Sequence, residues 1–176
     1  MEQDQTTTVT PRSAGVRYGL IGAVVSIAWF LVMSVTGMNM QGPSQYVSWI
    51  FVIVLVVLAH KYFKDNGDGY MSYGQGVGIA FWYGLVSGAI GSVFTYIYIK
   101  FVDAGFIDAI KDQQLEAFEK QGMSDAQIEQ AMQFSSMFMK PEMMLVMGLI
   151  GGIIVSVIVG LIVTIFTQKK SPDMAI

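Results

Sequence analysis

The chain has 176 residues, of which 53% are apolar and only 13% are charged, and its net charge at pH 7 is −3. Soluble domains average about 25% charged residues, so the composition argues against a soluble domain. No basic cluster indicates nucleic acid as a partner, and the lack of cysteine excludes disulfides and thiolate metal sites.

Four long stretches carry no Asp, Glu, Lys or Arg, and all 23 charged residues lie outside them. The stretches are residues 18–38, 46–59, 77–99 and 143–167. An α-helix rises about 1.5 Å per residue and the hydrocarbon core is roughly 30 Å thick, so about 20 residues span it. The second stretch is shorter, but it continues through Lys61, whose ammonium group can reach the headgroups. The pattern predicts an all-α integral membrane protein with four transmembrane helices in contact with the lipid bilayer.

The N-terminal residues 1–16 are polar and rich in threonine, and we expect a disordered cytoplasmic tail there. A single four-span membrane domain is predicted over 17–169, followed by a short cytoplasmic tail over 170–176. Arg12 and Arg17 before an apolar run also fit a signal peptide. Its apolar region would be about 18 residues against the usual 7–15, and no Ala-x-Ala pattern follows. We therefore expect an uncleaved first span.

Two capping boxes predict where helices begin. Ser72 and Gln75 stand before the third span, so this helix is expected to start just outside the membrane. Ser124 and Gln127 follow a break at Gly122 and predict the start of a further helix.

Residues 100–142 differ from the spans, because they hold eight acidic residues against four lysines and have a helix-forming composition. After Gly122, five residues recur at helical spacing and form one apolar stripe: Ile128, Ala131, Met132, Ser135 and Met139. We expect an amphipathic helical hairpin over 103–139, between helices three and four, that lies on the bilayer surface or folds over the bundle.

The orientation follows from the Lys and Arg residues near the span ends. With both termini inside, six basic residues face the cytoplasm: Arg12, Arg17, Lys61, Lys64, Lys169 and Lys170. The acidic hairpin then faces outward, whereas the reverse orientation would leave all six basic residues outside. We expect an inner (plasma) membrane location with both termini cytoplasmic and an extracytoplasmic hairpin.

Small residues recur every four positions in the third and fourth spans, which lets two helix backbones approach closely. The expected packing residues are Gly84, Gly88, Ser92, Gly148, Gly152, Ser156 and Gly160. The favoured interpretation is a contact between these two helices within one chain. The alternative is a self-association face that makes a homo-oligomer.

Chemistry is sparse in the predicted spans. No ionisable residue lies at mid-membrane depth, which counts against an ion-coupled transporter. The only histidine, His60, stands at a span end beside Lys61, where a contact with lipid headgroups is expected. No Ser-His-acid arrangement is indicated, and the glycines over 67–78 lack the Lys-Ser/Thr of a phosphate loop. We expect no enzyme, no catalytic residue and no cofactor.

Methionine is abundant, with thirteen residues, many of them on the predicted outer side. Thioethers suit Cu(I), and Met137, Met139 and Met143 are the candidate ligands. Methionine is also a flexible filler of apolar faces and adaptable binding surfaces. The second interpretation is favoured, so no metal site is predicted.

Three segments resemble a known family: Gly-Tyr-Met-Ser-Tyr-Gly-Gln-Gly at 69–76, Gly-Met-Ser-Asp-Ala-Gln-Ile-Glu at 122–129, and the glycine-rich last span. They resemble the small membrane proteins of domain of unknown function number 4199. The resemblance extends over nearly the whole chain. It implies a four-span bacterial inner-membrane protein and supplies no activity, substrate or site.

The leading functional hypothesis is a non-enzymatic accessory or scaffold protein whose outer hairpin binds a membrane protein partner or the membrane surface. The contrast between chemically bare spans and an amphipathic, methionine-rich hairpin motivates it. The alternative is an oligomeric transport or channel component for a small molecule or ion. A third and weaker hypothesis is Cu(I) handling by the methionines.

Overall fold

The computed structural model describes residues 9–36 and 44–171. In this part the chain forms six helices, and its only extended pairing is an isolated bridge between Met71 and Lys169. The helices are α1 (Pro11–Thr36), α2 (Ser44–Asp65), α3 (Tyr73–Phe101), α4 (Phe106–Lys120), α5 (Asp125–Phe138) and α6 (Pro141–Thr167). The prediction of an all-α chain is confirmed for these residues.

Four of the described helices, α1, α2, α3 and α6, are long and apolar enough to cross a membrane. Only 22% to 28% of the residues in their most apolar windows are buried within the chain. Large apolar side chains such as Val24, Ile162 and Phe166 remain 68%, 56% and 82% exposed. A helix that is apolar all round and left uncovered by its own chain is typical of a membrane span. The four helices fit a multi-pass membrane protein.

Contacts between the long helices define the two ends of the bundle. At one end Arg17 of α1 donates to the Tyr62 hydroxyl of α2 at 3.1 Å. At the other end the hydroxyls of Ser34 and Tyr98 lie 2.6 Å apart, which joins the end of α1 to the end of α3. The first end, termed the basic end, carries Arg12, Arg17, Lys61, Lys64, Lys169 and Lys170. The second end is termed the α4–α5 end.

The first helix begins earlier than the sequence predicted. Ser13 donates its N–H to Thr10 Oγ1 at 3.1 Å, and Thr10 donates its N–H to Ser13 Oγ at 3.0 Å. Pro11 takes the first helical position, where its missing N–H has no helical partner to lose. The tail boundary expected at residue 16 therefore falls within α1. Residues 1–8 and 172–176, which the sequence assigns to the tails, lie outside the described residues.

The expected contact of His60 with lipid headgroups is wrong, because its side chain is completely buried. The ring lies between α2, α3 and α6. Its Nε2 lies 2.9 Å from the Gly76 carbonyl of α3, and its Nδ1 lies 2.8 Å from the Thr167 hydroxyl of α6. Both ring nitrogens thus have partners, as a buried polar group requires. His60 is a structural link at the basic end.

Candidate interaction site at the α4–α5 end

The two short helices α4 and α5 follow α3, and the first residue of α4 packs against the bundle. Phe106, the first residue of α4, is 6% exposed. Its ring centroid lies 5.4 Å from that of Phe30 in α1 and 6.0 Å from that of Tyr98 in α3. Aromatic pairs at these separations add to the free energy gained by burial. The beginning of α4 is therefore fixed to the bundle.

The connection between α4 and α5 uses glycine and a capping box. Gly122 follows α4 with a φ of +73°, a conformation that favours glycine at the end of a helix. Ser124 then donates its N–H to the Gln127 side-chain oxygen at 2.9 Å, and α5 begins at Asp125. The other predicted capping pair acts similarly, because the Ser72 N–H lies 2.7 Å from Gln75 Oε1 at the start of α3.

One apolar face of α5 is packed against the rest of the chain. Ile128 and Met139 are 9% and 8% exposed. Ala131, Met132 and Ser135 on the same face are half-buried. The apolar stripe identified in the sequence is thus the inward face of this helix.

A second apolar face of α5 is uncovered. Phe134, Met137 and Phe138 are 62%, 53% and 39% exposed, and the two aromatic rings lie 5.2 Å apart. These three residues are termed the exposed cluster. Sequence reasoning missed the cluster. Its i, i+3, i+4 spacing is an amphipathic signal, but the five-residue stripe is the longer apolar pattern on the same helix.

Carboxylates dominate the segment that contains the exposed cluster. Residues 102–139 contain seven acidic residues and two lysines. Both lysines form ion pairs within α4, at 2.8 Å between Lys111 and Asp108 and 2.7 Å between Lys120 and Glu116. The hydrogen bond from Lys120 lowers the pKa of Glu116 below its ordinary value. Within the described segment five carboxylates have no ion-pair partner: Asp103, Asp112, Glu119, Asp125 and Glu129.

The seven predicted packing residues lie together between α3 and α6 of one chain. A Cβ added to Gly84 would lie 2.6 Å from the Ser156 Cβ, and one added to Gly148 would lie 3.1 Å from the Ser92 Cβ. The remaining members also lie at this contact: Gly88 faces Leu149 and Gly152, and Gly160 faces Ala80. The backbones of these helices approach as the small-residue spacing requires.

The sequence analysis missed a third small-residue face, on α1. A Cβ on Gly15 would lie 2.5 Å from the Trp82 Cβ, and one on Gly19 would lie 2.8 Å from the Val86 Cβ. Gly22 lies against the ring of Tyr83. The spacing of Gly15 and Gly19 is itself a small-xxx-small pattern and could have predicted the contact of α1 with α3.

The three copper candidates lie in different environments. Met137 belongs to the exposed cluster, Met139 is buried on the inward face of α5, and Met143 in α6 is 38% exposed. Among the described residues no group of three His, Cys, Asp or Glu side chains could hold a metal ion. Copper binding by the methionines stays a prediction.

Comparison with known proteins gives one match. The model of a family described as protein of unknown function (DUF4199) matches residues 17–169. The matched range begins inside α1 and ends just after α6, so it includes α4 and α5. No curated protein and no solved structure matches the chain.

Proposed function

The chain belongs to the family of proteins of unknown function DUF4199, and we propose that it is a non-enzymatic accessory protein of a bacterial inner membrane. In this proposal α4 and α5 form a hairpin over 103–139 on the extracytoplasmic side. The exposed cluster of this hairpin binds a membrane protein that presents an apolar patch with a basic rim.

The observation that carries the proposal is the exposed cluster itself. Phe134, Met137 and Phe138 are exposed and stand on a helix outside the four long apolar helices. Leaving apolar surface in water costs free energy in proportion to its area. Aromatic residues and methionine are enriched in the cores of protein interfaces. A partner that buries this cluster would therefore gain binding free energy from the buried apolar surface.

The net negative charge of the segment that contains the exposed cluster favours a protein over the bilayer as this partner. Helices that lie in a membrane interface are typically rich in Lys and Arg on their polar face. Here residues 102–139 hold seven carboxylates and two lysines, and both lysines are already paired. An anionic lipid surface would repel this segment, whereas a partner with Lys and Arg around an apolar patch would attract it.

The basic end supports the proposed orientation. It carries six basic residues. The side of a membrane protein with more Lys and Arg normally faces the cytoplasm. Two of its guanidinium groups lie over aromatic rings, Arg12 at 4.9 Å from the Trp82 centroid and Arg17 at 4.5 Å from the Tyr62 centroid. Such amphipathic pairs suit the headgroup region, where an apolar ring and a charged group both find favourable surroundings. The termini are then cytoplasmic and α4 and α5 lie outside.

The proposal is tested by the reactivity of single cysteines, because the chain has none of its own. Met137→Cys lies in the exposed cluster, and Ser136→Cys is an exposed neighbour on the same helix that serves as the matched control. Each variant is treated with a water-soluble maleimide in native membranes and in liposomes that hold the purified protein alone.

A protein partner predicts that Met137→Cys is protected only in native membranes, and that high salt removes the protection because charge pairs are screened. Ser136→Cys should react in both preparations. Protection of Met137→Cys in the pure liposomes would instead identify lipid as the cover. Full reactivity in both preparations would contradict any docking at this cluster.

A further inference from the structure

Two adjoining cavities lie in the half of the bundle nearer to α4 and α5. The first, of about 370 Å³, lies between α1 and α2, and its aromatic lining is Trp29, Phe30, Trp49 and Phe51. The second, of about 390 Å³, lies mainly among α1, α3 and α6 and is lined by small and hydroxyl-bearing residues. Both cavities contain Gly22, Ser26, Val52 and Tyr83 in their linings, so they adjoin each other, and together they are termed the inner cleft.

Among the serine and threonine hydroxyls of the second cavity, two have no hydrogen bond to any described residue. Ser156 of α6 is 2% exposed and faces the glycines of α3, and Thr95 of α3 lines the same cavity. Three other hydroxyls of the cleft, those of Ser26, Ser87 and Ser92, donate to carbonyls of their own helices. Ser156 and Thr95 are thus the serine and threonine donors that remain available in the second cavity.

A donor without a partner inside a membrane span is costly, because no bulk water reaches it. Glycines 88, 91, 148 and 152 line the second cavity together with Ser156 and Thr95, and at Gly91 the nearest atom to an added Cβ is 3.7 Å away, so there is room beside Gly91 for another molecule. The described lining of both cavities contains no charged residue. A charged occupant would be left without a counter-charge, so the cleft selects an uncharged one.

The aromatic part of the cleft argues against water as the sole occupant. Trp29, Phe30, Trp49 and Phe51 offer mostly apolar surface, and apolar cavities do not hold ordered water. A cleft of a few hundred Å³ with an apolar wall and a few polar groups has the character of a small-molecule site. A phospholipid headgroup is excluded by its charge.

We propose that the inner cleft binds an uncharged amphiphilic molecule. Its hydrogen-bonding head contacts the hydroxyls of Ser156 and Thr95, and its apolar body lies between Trp29 and Trp49. This site is separate from the exposed cluster and does not depend on the accessory role proposed above.

The binding is measured through tryptophan fluorescence. Trp29 and Trp49 line the cleft, and the third tryptophan, Trp82, stacks against Arg12 at the basic end and is replaced by Trp82→Phe. The full chain in zwitterionic nanodiscs is titrated with ω-bromoundecanol and, separately, with the carboxylate ω-bromoundecanoate. Bromine quenches fluorescence at short range, and the bilayer contributes a linear background for both probes. The proposal predicts a saturable component with the alcohol only.

Two matched variants test whether the saturable quenching arises from binding in the inner cleft. Gly91→Leu fills the cleft without a backbone clash, because the nearest atom to an added Cβ is Ser26 Oγ at 3.7 Å. Gly151→Leu adds the same side chain where no atom lies within 4 Å of the added Cβ and outside the cleft lining. The saturable component should disappear in Gly91→Leu and persist in Gly151→Leu.

Ser156→Ala removes one donor and creates no clash, so it keeps the test valid if Gly91→Leu fails to fold. Loss of one hydrogen bond should weaken binding of the alcohol by about three- to tenfold. The proposal is overturned if no saturable quenching occurs, if both probes saturate equally, or if Ser156→Ala leaves the affinity unchanged.

Discussion

The Nδ1 atom of His60 and the hydroxyl oxygen of Thr167 lie 2.8 Å apart, which joins α2 to α6 inside the basic end. A carbonyl only accepts hydrogen bonds, so Nε2 donates to the Gly76 oxygen at 2.9 Å and connects the same ring to α3. Lys64 donates to the Thr167 carbonyl at 2.8 Å. Three spans therefore meet at one buried polar group.

His60→Ala should destabilise the protein by about 3 kcal/mol, because it leaves the Gly76 carbonyl unpaired and opens a cavity. Thr167→Val removes a single hydroxyl and should cost about 1 kcal/mol. Unfolding in mixed detergent, followed by circular dichroism, measures both free energies. A double variant that loses as much as the two single variants together would contradict a direct link between the two side chains.

Gly84→Ala should destabilise the α3–α6 contact by about 1–3 kcal/mol, since the new Cβ would lie 2.6 Å from that of Ser156. Adding Ser156→Gly to this variant should restore part of the loss, because it removes the Ser156 side chain while the Gly152 carbonyl oxygen stays 2.9 Å from the new Cβ. Gly151→Ala, which has no atom within 4 Å of its new Cβ, is the control and should not be destabilised. The same unfolding assay reads all three. No rescue by Ser156→Gly would contradict close packing at this point.

Phe134→Ser should disrupt partner binding without loss of stability, because the Phe134 ring is 62% exposed. Phe106→Ser should lower the melting temperature instead, because this ring is 6% exposed and anchors α4 to Phe30 and Tyr98. Native gels of mildly solubilised membranes report the size of the complex, and thermal melts of purified protein report stability. If Phe134→Ser leaves the complex intact, the exposed cluster is not the binding surface.

The pKa of Glu116 should lie below its ordinary value, because Lys120 donates a hydrogen bond to the carboxylate at 2.7 Å. A lowered folded-state pKa contributes stability above the unfolded-state pKa, and this contribution is lost as pH falls through the folded-state value. An NMR titration of the Glu116 carboxyl carbon measures the shift. Lys120→Gln should return the pKa toward the ordinary range, and an unchanged value would contradict the assigned cause.

The four long helices could be predicted from the sequence because each is marked by a continuous stretch without charged residues. The start of α1 could not, because Arg12 and Arg17 lie alongside Trp82 and Tyr62 on neighbouring helices. A sequence pattern treats a charged residue as the end of a span. A guanidinium group that stacks on a ring can instead lie within the helix near the membrane surface.

The features that carry function depend on which faces meet in three dimensions. Both faces of α5 are apolar by spacing, and only packing decides that Ile128 is buried while Phe134 is exposed. The position of His60 beside Lys61 gave no indication that its ring reaches Thr167, more than a hundred residues later in the chain. The inner cleft likewise requires four helices to be assembled before Ser156 and Trp29 line adjoining cavities.

Membrane topology tests the account most directly, because the partner proposal requires α4 and α5 to lie outside. Glu129→Cys in α5 and Lys170→Cys after α6 are both at exposed positions of a chain without native cysteine. An impermeant maleimide is added to sealed spheroplasts and to permeabilised ones. The account predicts that Glu129→Cys reacts in sealed spheroplasts and that Lys170→Cys reacts only after permeabilisation. The reverse pattern, or labelling of both positions in sealed spheroplasts, would contradict it.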